Sequence, residues 1–224
     1  GNEARLRAAY ENRDPRLAAI AITPYSTYDG GASGSVVTYT SRYPYRDWQA
    51  PSLDLRYGNN AYMLYPIRKF VTKGREYTNI GYNPVDVPII RYADVLLMYA
   101  EAVWRAHEVP SPEALEYVNQ VRRRGFGVDI KTPNEAVDLK MMDGDKFAEA
   151  LLAERSFELC FEGQRWYDLV RFGKLEEGVK KLAKYSSVAT SQAQNFQPKH
   201  VIFPIPQDVI DASNGKIEQN PLWK

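Results

Sequence analysis

The stretch that most constrains this chain runs from Phe147 to Phe161. It is apolar on almost every side, yet it carries two glutamates inside its apolar face. At about 100° per residue, Phe147, Ala150, Leu151, Phe157 and Phe161 point broadly one way, and Glu154 and Glu158 point to the centre of that face. Leu152, Ala153, Leu159 and Cys160 fill most of the other positions. A helix that is apolar nearly all round is a buried helix. Two carboxylates are therefore expected in the interior, with Glu162 close to their row. A buried carboxylate must find a cation or take up a proton. Downstream, Gly163 lets the chain turn, and Arg165, Asp168 and Arg171 recur at every third position of a short second helix. Arg91, at the start of an earlier helix, is another partner. Arginine suits the task because its planar fork grips a carboxylate with two parallel bonds. The expectation is a structural ion-pair lock built from Arg91, Glu154, Glu158, Glu162, Arg165, Asp168 and Arg171.

Clustered glutamates also have catalytic readings. A glycoside hydrolase needs a pair of carboxyl groups, and Glu154 and Glu158 could supply it. A dimetal carboxylate bundle uses Glu-x-x-His motifs, and no histidine follows any of these glutamates. The chain has only two histidines, His107 and His200. That leaves little for a histidine-rich metal site or a nucleophile–histidine pair. Its single cysteine, Cys160, cannot form an internal disulfide and reads as an inert thiol. Neither a metal nor a cofactor is expected. Because no acid here lacks an arginine in reach, the structural reading is preferred and no catalytic residue is assigned.

Helical signals are concentrated between residues 89 and 173. Ala93, Leu96, Leu97, Ala100, Val103 and Trp104 recur at helical spacing, with Glu101 and Arg105 an i,i+4 pair on the other face. A second helix starts at Ser111-Pro112-Glu113, which supplies an N-cap, a first-turn proline and a dipole-matched acid. Leu115, Val118 and Val121 form its stripe, Arg122-Arg123-Arg124 suit its last turn, and Gly125 is expected to stop it. The pair is a hairpin about the size of a tetratricopeptide unit. A second hairpin is expected from Asp145 to Phe161 and Gln164 to Phe172.

Residues 1–88 read as loop-rich after the first ten, with a turn at Asn12-Arg13-Asp14-Pro15-Arg16-Leu17. Val36–Thr40 and Tyr62–Tyr65 are candidate short strands. Residues 174–224 are expected to be an irregular tail, extended through Val201-Ile202-Phe203-Pro204-Ile205-Pro206, with a helical turn at Gln207–Ile210. The fold class is thus mainly α: tetratricopeptide-like hairpins packed with a loop-rich region that has minor β-structure, in a single domain over 1–224. With 29 basic and 28 acidic residues the charge is balanced, and no nucleic-acid partner is expected. No stretch of about 18 apolar residues spans a membrane.

Several segments together resemble the SusD/RagB family. They are Ile90-Arg91-Tyr92-Ala93-Asp94-Val95-Leu96-Leu97-Met98-Tyr99-Ala100-Glu101-Ala102, then Glu154-Arg155 with Glu158-Leu159, then Phe161-Glu162-Gly163-Gln164-Arg165-Trp166-Tyr167-Asp168-Leu169-Val170-Arg171. Phe203-Pro204-Ile205-Pro206 with Gln219-Asn220-Pro221 resembles the family's C-terminal ending, and Asn12-Arg13-Asp14-Pro15-Arg16 also has a counterpart. The resemblance implies a non-enzymatic lipoprotein on the external face of the outer membrane. Such proteins bind glycans or other nutrients and pass them to a SusC-like, TonB-dependent transporter. It is confined to the C-terminal portion of these longer proteins, so the lipid-bearing N-terminal cysteine, the only expected membrane contact, is absent from this chain.

Aromatic composition suggests where an oligosaccharide or polysaccharide would bind. There are 16 Tyr and 4 Trp against 8 Phe, and both favoured types join a flat apolar face to a polar handle. The Tyr-rich loops point to Tyr25, Tyr28, Tyr45 and Trp48 as ligand contacts, with Arg46 and Asp47 as polar companions. The competing readings are a glycoside hydrolase acting through Glu154 or Glu158 and a helical adaptor that binds only protein.

Overall fold

In a computed structural model, the described residues are 4, 8–23, 27–29, 36–38, 67–70, 86–184 and 187–224, with the backbone alone for 27–29, 36–38 and 187–189. They fall into two compact units, Gly1–Arg165 and Trp166–Lys224. The fold is mainly helical, as the periodicity predicts.

In the first unit, α1 (Arg16–Ile20) is followed by β1 (Thr27–Asp29) and β2 (Val36–Thr38), which pair antiparallel with Tyr28 opposite Val37. The expected strand at Tyr62–Tyr65 lies outside the described residues. Helix α1 was expected to be only a turn. Proline tolerates a helix start because the first-turn N–H is unpaired anyway, and Asp14 accepts a hydrogen bond from the Arg16 N–H at 3.0 Å.

The hairpin is α2 (Tyr92–His107) and α3 (Pro112–Gly125). Ser111 caps α3 by accepting from the Ala114 N–H at 3.1 Å. The core between them is Leu97, Ala100, Ala114 and Val118, all without solvent contact. The expected pair of Arg105 with Glu101 forms at 2.9 Å, although Glu101 is buried rather than on an outer face. Gly125 does not stop α3, which reaches its cap at Phe126.

Helix α4 (Gly144–Glu158) packs against both helices of the hairpin and against α1, burying Phe147, Leu151 and Leu152. Asp143 caps it through the Lys146 N–H. A Cβ on Gly144 would lie 1.9 Å from the Glu108 carbonyl oxygen, so this start packs on the end of α2 only because the residue is glycine. Phe157 and Phe161, placed in the core by the helical wheel, are nearly half exposed. The helix ends at Glu158, and Phe161 turns left-handed at φ 64°, so the wheel loses its phase there.

The second unit holds α5 (Arg165–Arg171) almost entirely, then α6 (Leu175–Ala183), α7 (Ser187–Gln194) and α8 (Gln207–Ala212). The tail is therefore not irregular throughout: α6 and α7 pack together, and Leu175 at the start of α6 is buried. The proline-punctuated segment after Val201 is extended at Ile202 and is held by the last residues of the chain. Gln219 exchanges two 2.8 Å bonds with the Ile205 backbone, the Asn220 amide donates to the Phe203 carbonyl, and Trp223 Nε1 donates to the Ile202 carbonyl. The two C-terminal motifs are thus halves of one clasp.

Candidate functional site

The strongest concentration of chemistry is the set of carboxylates along and after α4. Glu154 is fully buried and Glu158 nearly so. Each oxygen of Glu154 accepts from one arginine: Oε1 from Arg16 Nη1 at 2.7 Å, Oε2 from Arg122 Nη1 at 3.0 Å. Glu158 serves three: Oε1 accepts from Arg91 and Arg124, and Oε2 from Arg16 Nη1 at 2.9 Å. Glu162 takes a bidentate grip from Arg91, with Nε at 2.8 Å and Nη2 at 2.9 Å, and Lys69 adds a further bond. Lys69 also donates to the Glu158 and Cys160 carbonyls, both at 3.1 Å. Asp14 holds the rest of the Arg16 fork, with Nε at 2.9 Å and Nη2 at 2.6 Å.

These contacts set the protonation states. Burial alone would raise the Glu158 pKa, but hydrogen bonds from Arg91, Arg124 and Arg16 outweigh it and hold the carboxyl below the usual range. Glu162 is depressed likewise, with Arg91 and Lys69 overriding burial. For Arg16, burial works against the charge, and hydrogen bonds to Asp14 and Glu154 more than compensate. Burial pushes the Cys160 thiol up, which disfavours a nucleophilic thiolate.

Of the residues expected in the lock, the structure brings Arg91, Glu154, Glu158 and Glu162 together. Arg165 donates to the Leu152 carbonyl at 3.1 Å. Asp168 and Arg171 bond each other at 2.8 Å within the second unit. Sequence reasoning missed Arg16, Lys69, Arg122 and Arg124. The Arg122–Arg124 triplet was assigned to helix-end electrostatics, but each of the three binds carboxylates. Arg123 binds Glu116 at 2.8 and 3.0 Å and grips Asp138 through Nε at 2.8 Å and through Nη2. A further buried pair, Arg155 with Asp94 at 2.9 Å, joins α4 to α2. Gly125 has a packing role: a Cβ there would meet Arg16 Nε at 2.7 Å.

Two clefts border this network. One, of about 490 Å³, is lined by Arg16, Lys69, Arg91, Arg124 and Glu158 together with Pro15, Ala19 and Ile20. The other, of about 790 Å³, has Tyr10, Phe126, Phe157 and Phe161 on its walls. Among the described residues, no three acids, histidines or cysteines could hold a metal ion together, and no helix is long and apolar enough to cross a membrane. Of the expected ligand contacts, Tyr25, Tyr45, Arg46, Asp47 and Trp48 lie outside the described residues, as does the Tyr28 side chain.

A helical hairpin, a third helix laid against it with paired glutamates facing inward, and a clasped proline-rich end define a helical scaffold class. The chain belongs to the SusD family, whose match runs over residues 2–223. It is 38% identical over 133 residues to SusD-like protein P25 of Formosa agariphila, covering 59% of this chain and 23% of that protein. A SusD homolog of Bacteroides thetaiotaomicron superposes with a TM-score of 0.57 at 34% identity, over 70% of this chain and 31% of the other. A SusD superfamily protein of Bacteroides vulgatus gives 0.53 at 26% identity, over 94% and 39%. Matches to the curated relatives thus cover only a fifth to a third of those proteins.

Proposed function

We propose that this chain is part of a cell-surface glycan-binding lipoprotein that delivers its ligand to a SusC-like, TonB-dependent outer-membrane transporter. Family membership over residues 2–223 is the observation that carries this reading. The same span supports treating both compact units as portions of one family domain. The ligand contacts we assign are Tyr25, Tyr28, Tyr45 and Trp48, with Arg46 and Asp47 as polar companions, because sugar rings stack on such faces.

The glutamate network is scaffold in this reading, not an active site. A general acid must hold a proton within reach of its substrate, whereas both oxygens of Glu154, Glu158 and Glu162 already accept from cations. That arrangement leaves these carboxylate oxygens occupied and argues against a glycoside hydrolase.

The test is affinity electrophoresis through gels carrying different polysaccharides. Retardation by at least one, reduced several-fold by Trp48→Ala, is the expected result. Equal retardation of that variant removes Trp48 from the site. No retardation by any polysaccharide, with a stable transporter complex in a pull-down, would favour a protein-only adaptor. Hydrolysis abolished by Glu158→Gln in a folded protein would favour the enzyme.

A further inference from the structure

The network around Glu158 does not balance its own charge. Arg16, Lys69, Arg91, Arg122 and Arg124 face Asp14, Glu154, Glu158 and Glu162. Five cations against four carboxylates leave one positive charge over. The surplus is located at Arg124. Among the described residues its only acid is Glu158, which it shares with Arg16 and Arg91, and that contact uses Nη2. Nε and Nη1 have no partner among the described residues, and the side chain is 53% exposed. The neighbouring Arg123 cluster has the opposite surplus, but its two acids, Glu116 and Asp138, bond Arg123.

Arg124 opens onto the cleft of about 490 Å³, whose lining holds four cations, one carboxylate and the apolar residues Pro15, Ala19 and Ile20. A cleft of this size is in the range that accepts a small ligand. A concave site lined by one sign of charge focuses its field and attracts the opposite charge. We infer that this cleft binds the oxyanion of an acidic saccharide, a carboxylate or a sulfate ester, through Arg124, with the sugar's CH face against Ala19 and Ile20. The inference rests on the glycan-binding reading for the sugar, and on the geometry alone for the anion.

The experiment is calorimetric titration of the full chain at fixed ionic strength with glucuronate, glucose 6-sulfate, glucose and acetate. Arg124→Gln and Ala19→Phe are run beside the parent, the second to fill the cleft without touching an ion pair. Glucuronate or glucose 6-sulfate should bind at least tenfold more tightly than glucose, and the tighter of the two names the oxyanion. Both variants should lose at least tenfold, and Ala19→Phe tests the site even where Arg124→Gln folds poorly. Acetate binding as tightly as glucuronate would keep the anion site and remove the saccharide. Charged and neutral sugars binding alike, or unchanged affinity in Ala19→Phe, would overturn the proposal.

Discussion

Helix α3 feeds two ion clusters, and they are built on opposite plans. Arg123 gathers Glu116 and Asp138, seven and fifteen residues away, so it fastens the loop after α3 to the helix it leaves. Arg122 and Arg124 reach Glu154 and Glu158 on α4, where Arg16 arrives from a separation of 138 and 142 residues and Arg91 from 67 and 71. The first cluster is local closure. The second ties α1, α2, α3 and α4 at one point, and losing Glu158 takes an acceptor from three arginines at once. The largest expected effect follows from that difference. Glu158→Ala leaves Arg16, Arg91 and Arg124 short of a shared acceptor, and removing one partner of a buried pair costs about 3–5 kcal/mol. Urea denaturation should show that loss. A loss under 1 kcal/mol would break the distinction between the clusters.

Crowding rather than charge gives the next effect. Gly125→Ala puts a Cβ 2.7 Å from Arg16 Nε and forces that guanidinium out of its bridge between Glu154 and Glu158. Overpacking of this kind costs about 1–3 kcal/mol. The urea midpoint should fall, and it should fall much less in an Arg16→Ala background, where there is nothing left to displace. Additive losses would mean that Gly125 matters for another reason.

Acid should separate the clusters in a third way. Glu158 and Glu162 have depressed folded pKa values against an ordinary 4.5, and Asp14 and Asp138 against 3.8. A depressed acid contributes stability that is present above its unfolded pKa and is lost as pH falls through the folded one. Stability should therefore be nearly flat from pH 7 to about 5 and begin to fall near 4.5, where only the glutamates contribute. Glu162→Gln should make that first part shallower, with Glu158 still contributing to it, and leave the later fall, below 3.8, in place. An unchanged profile would show that Glu162 is as protonatable folded as unfolded.

The helices of the first unit were legible because their signals are local. Ser111-Pro112 starts α3 and caps it as read, and the stripe from Ala93 to Ala100 is the face that α2 buries. The need for cations near Glu154 and Glu158 was also legible, since burial follows from a helix apolar all round. Their identity was not. Arg165 and Arg171 were chosen for nearness in sequence, and the arginines seen on Glu154 and Glu158 are Arg16, Arg91, Arg122 and Arg124. Arg16 and Lys69 come from segments whose approach depends on tertiary packing. The fault with the arginine triplet was to treat it as one unit. Successive helical residues project about 100° apart, so three in a row must look for different partners, and Arg123 departs from its neighbours for that reason. Helices α6 and α7 went unseen because, among their described side chains, little is buried beyond Leu175.

The smallest effect comes from the local cluster. Glu116 is 38% exposed while Arg123 is 1% exposed. Glu116→Ala removes one carboxylate, yet Arg123 keeps its grip on Asp138 and its bond to the Ile130 carbonyl at 3.0 Å. The arginine is not stranded, and a pair with one half-exposed partner contributes about 1 kcal/mol or less. What loss there is should vanish in 1 M salt, where the screening length is about 3 Å. The loss from Glu158→Ala should persist there, because buried pairs are screened much less. Equal salt sensitivity in the two variants would mean that solvent reaches both clusters alike, and the contrast between a surface fastening and a buried junction would fail.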